Sequence, residues 1–247
     1  MTSSGTPRPL DAAVREIAAD AGRTWGVRDA VLGVLAVPAS LGAGLLLVLA
    51  VPGLPRLVAT GLATLALTVA AALLARRVAR QSGGVVRALG FGPLLPSDVG
   101  RVLGWSLLLL LVQVAVVSLL VQLVPGLRGV TPQNVAFVRD EPWGSVVALA
   151  VLAVVVAPVV EEVLFRGVVL RGLMLRLGFW PSAITSSALF GVFHAQGSAA
   201  EAVLLAVATG VFGVGLCVLV RRTGRLAPAI GVHALRNALA LGGALLA

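Results

Sequence analysis

Seven apolar stretches constrain the fold of this chain more than any other feature of its sequence. An apolar helix of about 20 residues is long enough to cross the hydrocarbon core of a bilayer. The chain is 59% hydrophobic and only 12% charged, whereas soluble domains are about 25% charged. The sequence therefore predicts an all-α, polytopic transmembrane helical bundle with about seven spans. These cover approximately residues 30–51, 57–75, 102–123, 144–176, 181–195, 201–220 and 226–246.

The charge of the chain points to lipid rather than nucleic acid. The formal net charge is +9, and arginine supplies all the cationic side chains because lysine is absent. Arginine beside apolar spans is typical of segments that face anionic lipid. We therefore expect membrane lipids as partners and no nucleic acid. The arginine-rich, lysine-free composition suggests a bacterial cell membrane, and the single cysteine excludes an intrachain disulfide.

The arginines also predict an orientation, because short cytoplasmic loops are enriched in positive charge. The loops after the second, fourth and sixth spans are rich in arginine, and those on the opposite side are poor. This pattern predicts a cytoplasmic N-terminus with the site opening to the cytoplasmic side. We divide the chain into a cytoplasmic segment (1–28), N-terminal transmembrane helices (29–142) and a transmembrane core (143–247). Within the first segment, residues from about Leu10 to Val27 are expected to form a short interfacial helix.

Two adjacent acidic residues stand out in the segment "APVVEEVLFRG" (157–167). Glu161 and Glu162 are the only acidic residues that fall well inside an apolar span, where ionisable groups are costly and usually functional. Glu162 and Arg166 are four residues apart, so we predict an ion pair on one helix face. Glu161 points about 100° away from that face. Pro158 is expected to free the carbonyl of Val154 and to kink the helix.

Three further polar residues lie at a matching depth in other spans. His194 follows "FGVF" in the fifth span, and His233 and Asn237 lie one turn apart in the seventh. A carboxylate, two imidazoles and a carboxamide at one depth outline a catalytic or metal site. Each residue also has a structural interpretation. Glu162 and Arg166 could be a structural pair, either histidine or Phe190 a packing residue, and Asn237 an interhelical hydrogen bond.

The three motifs together resemble those of one known family. "EEVLFR" has the form EExxxR, "FGVFH" the form FxxxH and "HALRN" the form HxxxN, in that order on three apolar segments. This series is similar to the CPBP family, which comprises type II CAAX prenyl proteases and the Abi proteins of bacteriocin processing or immunity. The resemblance covers about residues 143–247.

The resemblance implies an all-helical intramembrane endopeptidase that acts on a peptide or a membrane protein. It assigns Glu161 and His194 to activation of a water molecule, and His233 and Asn237 to an oxyanion site. The residues expected to support this site are Glu162, Arg166 and Phe190. No cofactor is required by this mechanism. Glu161, His194 and His233 also have the side-chain types that could hold a catalytic zinc ion, although an HExxH motif is absent.

Two other classes of function fit parts of the sequence. A non-proteolytic membrane scaffold or bacteriocin-immunity protein could use the same fold to bind a partner. A proton-coupled transporter would explain a carboxylate inside a span. The lack of an internal repeat makes a transporter the weaker of the two alternatives.

Overall fold

The computed structural model describes residues 10–19, 25–51, 56–130 and 142–246, and every regular element within these ranges is helical. Part of the predicted N-terminal segment and the end of the loop before residue 142 lie outside the described residues. We number the helices α1 (Leu10–Ala18), α2 (Val27–Ala50), α3 (Arg56–Arg80), α4 (Val85–Leu89), α5 (Val99–Leu123), α6 (Trp143–Leu177), α7 (Phe179–Phe193), α8 (Ala199–Thr223) and α9 (Ala227–Leu246).

The predicted fold class is confirmed. Six of the described helices, α2, α3, α5, α6, α8 and α9, are long and apolar enough to cross a membrane. Helix α7 corresponds to the fifth predicted span (181–195) and has only 15 residues, as the short fifth apolar segment led us to expect. Large apolar side chains project outward, such as Leu111 at 59% and Leu123 at 70% exposure. The chain is a polytopic helical bundle with an apolar outer surface suited to lipid.

Helix α1 differs in its surroundings from the predicted interfacial helix. Its apolar face consists of Leu10, Val14 and Ile17, which are all buried. That face packs against α6 and α8, and Asp11 forms an ion pair with Arg221 of α8 at 2.8 Å. The helix itself is confirmed over residues 10–18, but protein rather than lipid covers its apolar side.

The core of the bundle lies where α6 packs against α2, α7, α8 and α9. Close approach of α7 and α8 depends on Gly191, because a Cβ at that position would collide with the carbonyl of Ala206. Gly33 similarly allows α2 to reach α6, since a Cβ there would lie 3.2 Å from Leu164. These two glycines set the distance between the helices that surround the centre of α6.

Helix α6 is not a regular α-helix along its length. Two segments, Leu152–Val156 and Val163–Val169, are π-helical, and they enclose the short α-helical segment Ala157–Glu162. A π turn has a five-residue hydrogen-bond spacing and often occurs at functional sites. The two glutamates therefore lie between two widened turns of the same helix.

The first π segment changes which carbonyl Pro158 leaves without a partner. The N–H of Ala157 bonds to the carbonyl of Leu152, five residues back. In this register the next carbonyl, that of Ala153, would need an N–H from residue 158, which is a proline. The prediction of an unpaired carbonyl at Val154 assumed α-helical spacing. In the π register the affected carbonyl is that of Ala153.

Candidate active site

The carboxylate of Glu162 links two other side chains in the interior. Its Oε1 atom accepts a hydrogen bond from Arg166 Nη1 at 2.8 Å, which confirms the predicted ion pair. The same oxygen lies 2.9 Å from His233 Nδ1 on α9. All three side chains are at most 2% exposed. Removing one member would leave a buried charge without its partner, which is strongly destabilising.

Glu161 projects from the next position on α6 toward both histidines. Its Oε2 atom lies 3.6 Å from His233 Nε2 and 3.9 Å from His194 Nε2. Both distances exceed those of a direct hydrogen bond, so Glu161 lies close to both rings without bonding to either. Within the described structure, this buried oxygen has no hydrogen-bond partner of its own. The predicted convergence of Glu161 with the two histidines is therefore confirmed in geometry.

In each histidine, the contact made by Nδ1 determines which ring nitrogen carries the proton of the neutral ring. His194 Nδ1 lies 2.8 Å from the carbonyl oxygen of Phe190, and a carbonyl can only accept, so Nδ1 must carry the hydrogen. His233 Nδ1 faces the carboxylate of Glu162 in the same way. When the rings are neutral, both Nε2 atoms are consequently acceptors that face Glu161. A ring must take up a second proton before its Nε2 can donate.

Phe190 packs at the centre of this group. It is 1% exposed, and the guanidinium carbon of Arg166 lies 4.5 Å from its ring centroid. The ring of His194 lies 4.4 Å away, between centroids. Phe190 thus supports Arg166 by a cation–π contact and holds His194 through both its ring and its carbonyl.

Asn237 lies one turn beyond His233 on α9, but its carboxamide is directed to a different part of α6. Its Nδ2 donates a hydrogen bond to the carbonyl of Ala153 at 2.8 Å. That carbonyl is the one left without a helical partner by Pro158. The bond uses one of the two N–H groups of the amide. Sequence analysis missed Ala153, because only the π register identifies it.

A cavity of about 400 Å³ leads to this group. Glu161 and His194 line its inner end, and most of its wall comes from α2 and α3. The wall is largely apolar, with hydroxyl groups from Ser40, Thr60 and Thr64. The sequence did not identify these residues, because α2 and α3 have the pattern of ordinary spans and carry no motif.

The side chains predicted to hold zinc do not form a close metal-binding cluster. Among the described residues, no group of three or more His, Cys, Asp or Glu side chains is placed to share a metal ion. A tetrahedral zinc ion with ligand bonds of about 2.0–2.2 Å holds its ligand atoms about 3.3–3.6 Å apart, and Glu161 lies 3.6 and 3.9 Å from the two rings. Small side-chain movements would be needed before Glu161, His194 and His233 could share the ion, and the steps below are assigned to the side chains alone.

Comparison with known proteins agrees with the motifs. Residues 142–239 match the family model described as "Type II CAAX prenyl endopeptidase Rce1-like". The matched region contains α6 and α7 and extends past Asn237 in α9. Searches of curated proteins and of solved structures gave no match. Together with the six spans, the family match makes this a multi-pass membrane protein, and over residues 142–239 it supports the fold of an intramembrane CAAX-type endopeptidase and membership of the CPBP family.

Proposed function

We propose that the protein is an intramembrane endopeptidase that hydrolyses a peptide bond with a water molecule activated by Glu161. One observation carries this proposal. Glu161 Oε2 lies within 4 Å of both imidazole Nε2 atoms, at the inner end of a cavity large enough to admit a substrate segment. A carboxylate placed between two imidazoles can orient a water molecule and accept its proton.

The reaction would proceed in two steps. Glu161 and His194 hold a water molecule, and Glu161 takes one of its protons as the water oxygen bonds to the scissile carbonyl carbon. The electron pair of the C=O bond moves to the carbonyl oxygen, which becomes an oxyanion. The carbon–nitrogen bond then breaks, and the proton held by Glu161 passes to the departing amine. The water has then been divided between the two products.

His233 and Asn237 would stabilise the oxyanion, each contributing about 2.7–4 kcal/mol to the transition state. For His233 this requires a proton on both ring nitrogens. The carboxylate of Glu162 accepts a hydrogen bond from Nδ1 at 2.9 Å and so fixes the orientation of the ring, and Arg166 holds that carboxylate in place. Asn237 would donate through the N–H group that is not bonded to Ala153.

The cavity supports an apolar substrate segment. Glu161 is the only acidic residue among its described lining residues, and the α2 and α3 walls present mainly aliphatic side chains. An uncharged stretch of a peptide or membrane protein would enter with little loss of hydration. The arginine-rich helix ends support an orientation with a cytoplasmic N-terminus and a site open to the cytoplasm, and the arginine-rich, lysine-free composition supports a bacterial cell membrane.

The test is a survey of peptides in host membranes and medium, comparing the wild type with Glu161→Gln at matched protein level. Glu201→Gln is the control, because Glu201 caps the start of α8 and lies outside the site. We expect defined peptides to be lost in Glu161→Gln and kept in Glu201→Gln. Matching profiles, together with rescue of a gene-loss phenotype by Glu161→Gln, would instead establish a scaffold or immunity function.

Metal dependence has its own test. A bound zinc ion would polarise the carbonyl and activate the water. If the side chains act alone, cleavage of a substrate found in the peptide survey should persist after extensive chelation. Loss of cleavage on chelation and its recovery with zinc would replace the metal-free mechanism.

A further inference from the structure

A second and larger cavity lies on another side of α6. It is a groove of about 640 Å³ between α3 and α6, within the range of about 300–1,000 Å³ that is typical of ligand sites. One wall is the face of α3 from Thr68 to Arg80, which is mainly alanine. The facing wall consists of Val159, Val160 and Val163 of α6. The turn at Gly83 and Gly84 closes the groove beyond Arg80.

The charges of this groove are all at one end. Arg76 and Arg80 line it where α3 ends, and none of its described lining residues is acidic. Both arginines are exposed, and neither pairs with a carboxylate in the described part of the chain. Arg77, between them in sequence, behaves differently because it bonds to Asp29 at 2.7 Å. Two like charges four residues apart on a helix repel each other, so the groove ends in two cations without a counter-ion.

The dimensions and the charge together identify one kind of occupant. From Thr68 to Arg80 the helix rises about 18 Å, similar to one leaflet's share of the hydrocarbon core, about 15 Å. The apolar walls suit an acyl chain, and guanidinium groups bind phosphate through paired hydrogen bonds. We propose that this groove binds an anionic phospholipid, with an acyl chain between α3 and α6 and its phosphate on Arg76 and Arg80.

The site is independent of the proposed peptidase activity. None of its lining residues takes part in the proposed reaction, and Glu161 lines the other cavity. Its inner wall is nevertheless the turn of α6 that carries the two glutamates. A bound lipid would fill the space beside that turn.

The experiment measures lipid binding to the purified full-length protein by native mass spectrometry and by thermal stabilisation. The probes are phosphatidylglycerol, phosphatidylcholine with the same acyl chains, and glycerol phosphate as the headgroup alone. The test variant is Arg76→Gln/Arg80→Gln. The control, Arg176→Gln/Arg222→Gln, removes the same charge from the ends of α6 and α8. Those ends lie on the same side of the bundle, since Arg171 bonds to Gly224 and Leu226 to Gly90.

We expect phosphatidylglycerol to bind the wild type more tightly than phosphatidylcholine does. Phosphatidylglycerol should bind the test variant about 30-fold more weakly than it binds the wild type, because the variant lacks two interfacial arginines. The control pair should change the affinity much less. Ala72→Phe, which fills the groove without changing its charge, should also weaken phosphatidylglycerol binding.

Three results would overturn the proposal. If both double arginine variants lose the same affinity for phosphatidylglycerol, the binding depends on general surface charge and not on this groove. If phosphatidylcholine binds as tightly as phosphatidylglycerol, the negative charge of the lipid has no role. Binding of glycerol phosphate as strong as that of the lipid would show that the acyl chain contributes nothing. Unchanged melting temperatures of the variants in lipid-free detergent would confirm that they are folded.

Discussion

The hydrogen bond from Asn237 to Ala153 leads to a prediction that can be measured by thermodynamic coupling. With Pro158 present, Asn237 supplies the donor that the carbonyl of Ala153 lacks in its own helix. In Pro158→Ala, residue 158 gains an N–H that can bond to that carbonyl. Asn237→Ala should therefore destabilise the wild type more than it destabilises the Pro158→Ala variant.

The size of the effect follows from the environment of the bond. An unsatisfied buried carbonyl costs about 1–3 kcal/mol, but interhelical hydrogen bonds in membrane bundles average about 0.6 and reach about 1.7 kcal/mol. We expect Asn237→Ala to cost about 1 kcal/mol with Pro158 and less than half of that with alanine at position 158. The coupling energy should be about 0.5–1 kcal/mol.

Reversible unfolding of the purified protein in mixed micelles, driven by a denaturing detergent, measures all four members of this cycle. A second cycle that pairs Asn237→Ala with Gly104→Ala is the control, because a Cβ at Gly104 meets no other group. The second cycle should be additive within about 0.3–0.5 kcal/mol. Equal costs of Asn237→Ala in both backgrounds of the first cycle would refute the role of the amide at this carbonyl.

Three further predictions test the remaining geometry. Gly191→Ala should lower the stability by about 1–3 kcal/mol through overpacking against α8, whereas Gly104→Ala should raise it by up to about 1 kcal/mol, as measured in the same unfolding assay. Arg166→Leu should cost about 3–5 kcal/mol by leaving the buried carboxylate of Glu162 without its arginine partner. Adding Glu162→Leu should recover part of that loss if the pair acts as a unit. Thr64→Phe should reduce peptide release by filling the cavity before Glu161 without lowering the melting temperature, and unchanged release would exclude this cavity as the substrate route.

Local features of the site could be predicted from the sequence. The Glu162–Arg166 pair depends only on a four-residue spacing along one helix, which the structure keeps even though the pair spans an α–π boundary. Depth counting along the spans correctly brought Glu161 together with His194 and His233. Such counts are sufficient because each helix rises by a fixed distance per residue.

Features that depend on how helices rotate against one another could not be predicted. The bond between His233 and Glu162 requires α9 to present its ring to one particular carboxylate oxygen, and no spacing within a single helix contains that information. The cavity walls from α2 and α3 were missed for the same reason. The roles proposed for Glu161, His194, His233 and Asn237, and the division of the chain at 28 and 142, stay predictions.

The π segments of α6 also affect how the protein tolerates changes in length. A π turn accommodates one residue more than the α turn it replaces, so deleting one residue from Leu152–Val156 could restore an ordinary α-helix without breaking the chain. Because the π turn takes up the extra residue within itself, the parts of α6 before and after it would then keep nearly the same rotation about the helix axis. A residue lost without such a turn to absorb it would instead rotate Glu161 by about 100°, away from both imidazoles. A one-residue deletion within Leu152–Val156 should therefore leave more activity than Glu161→Gln, and the π segments mark where α6 can change its length without reorienting the site.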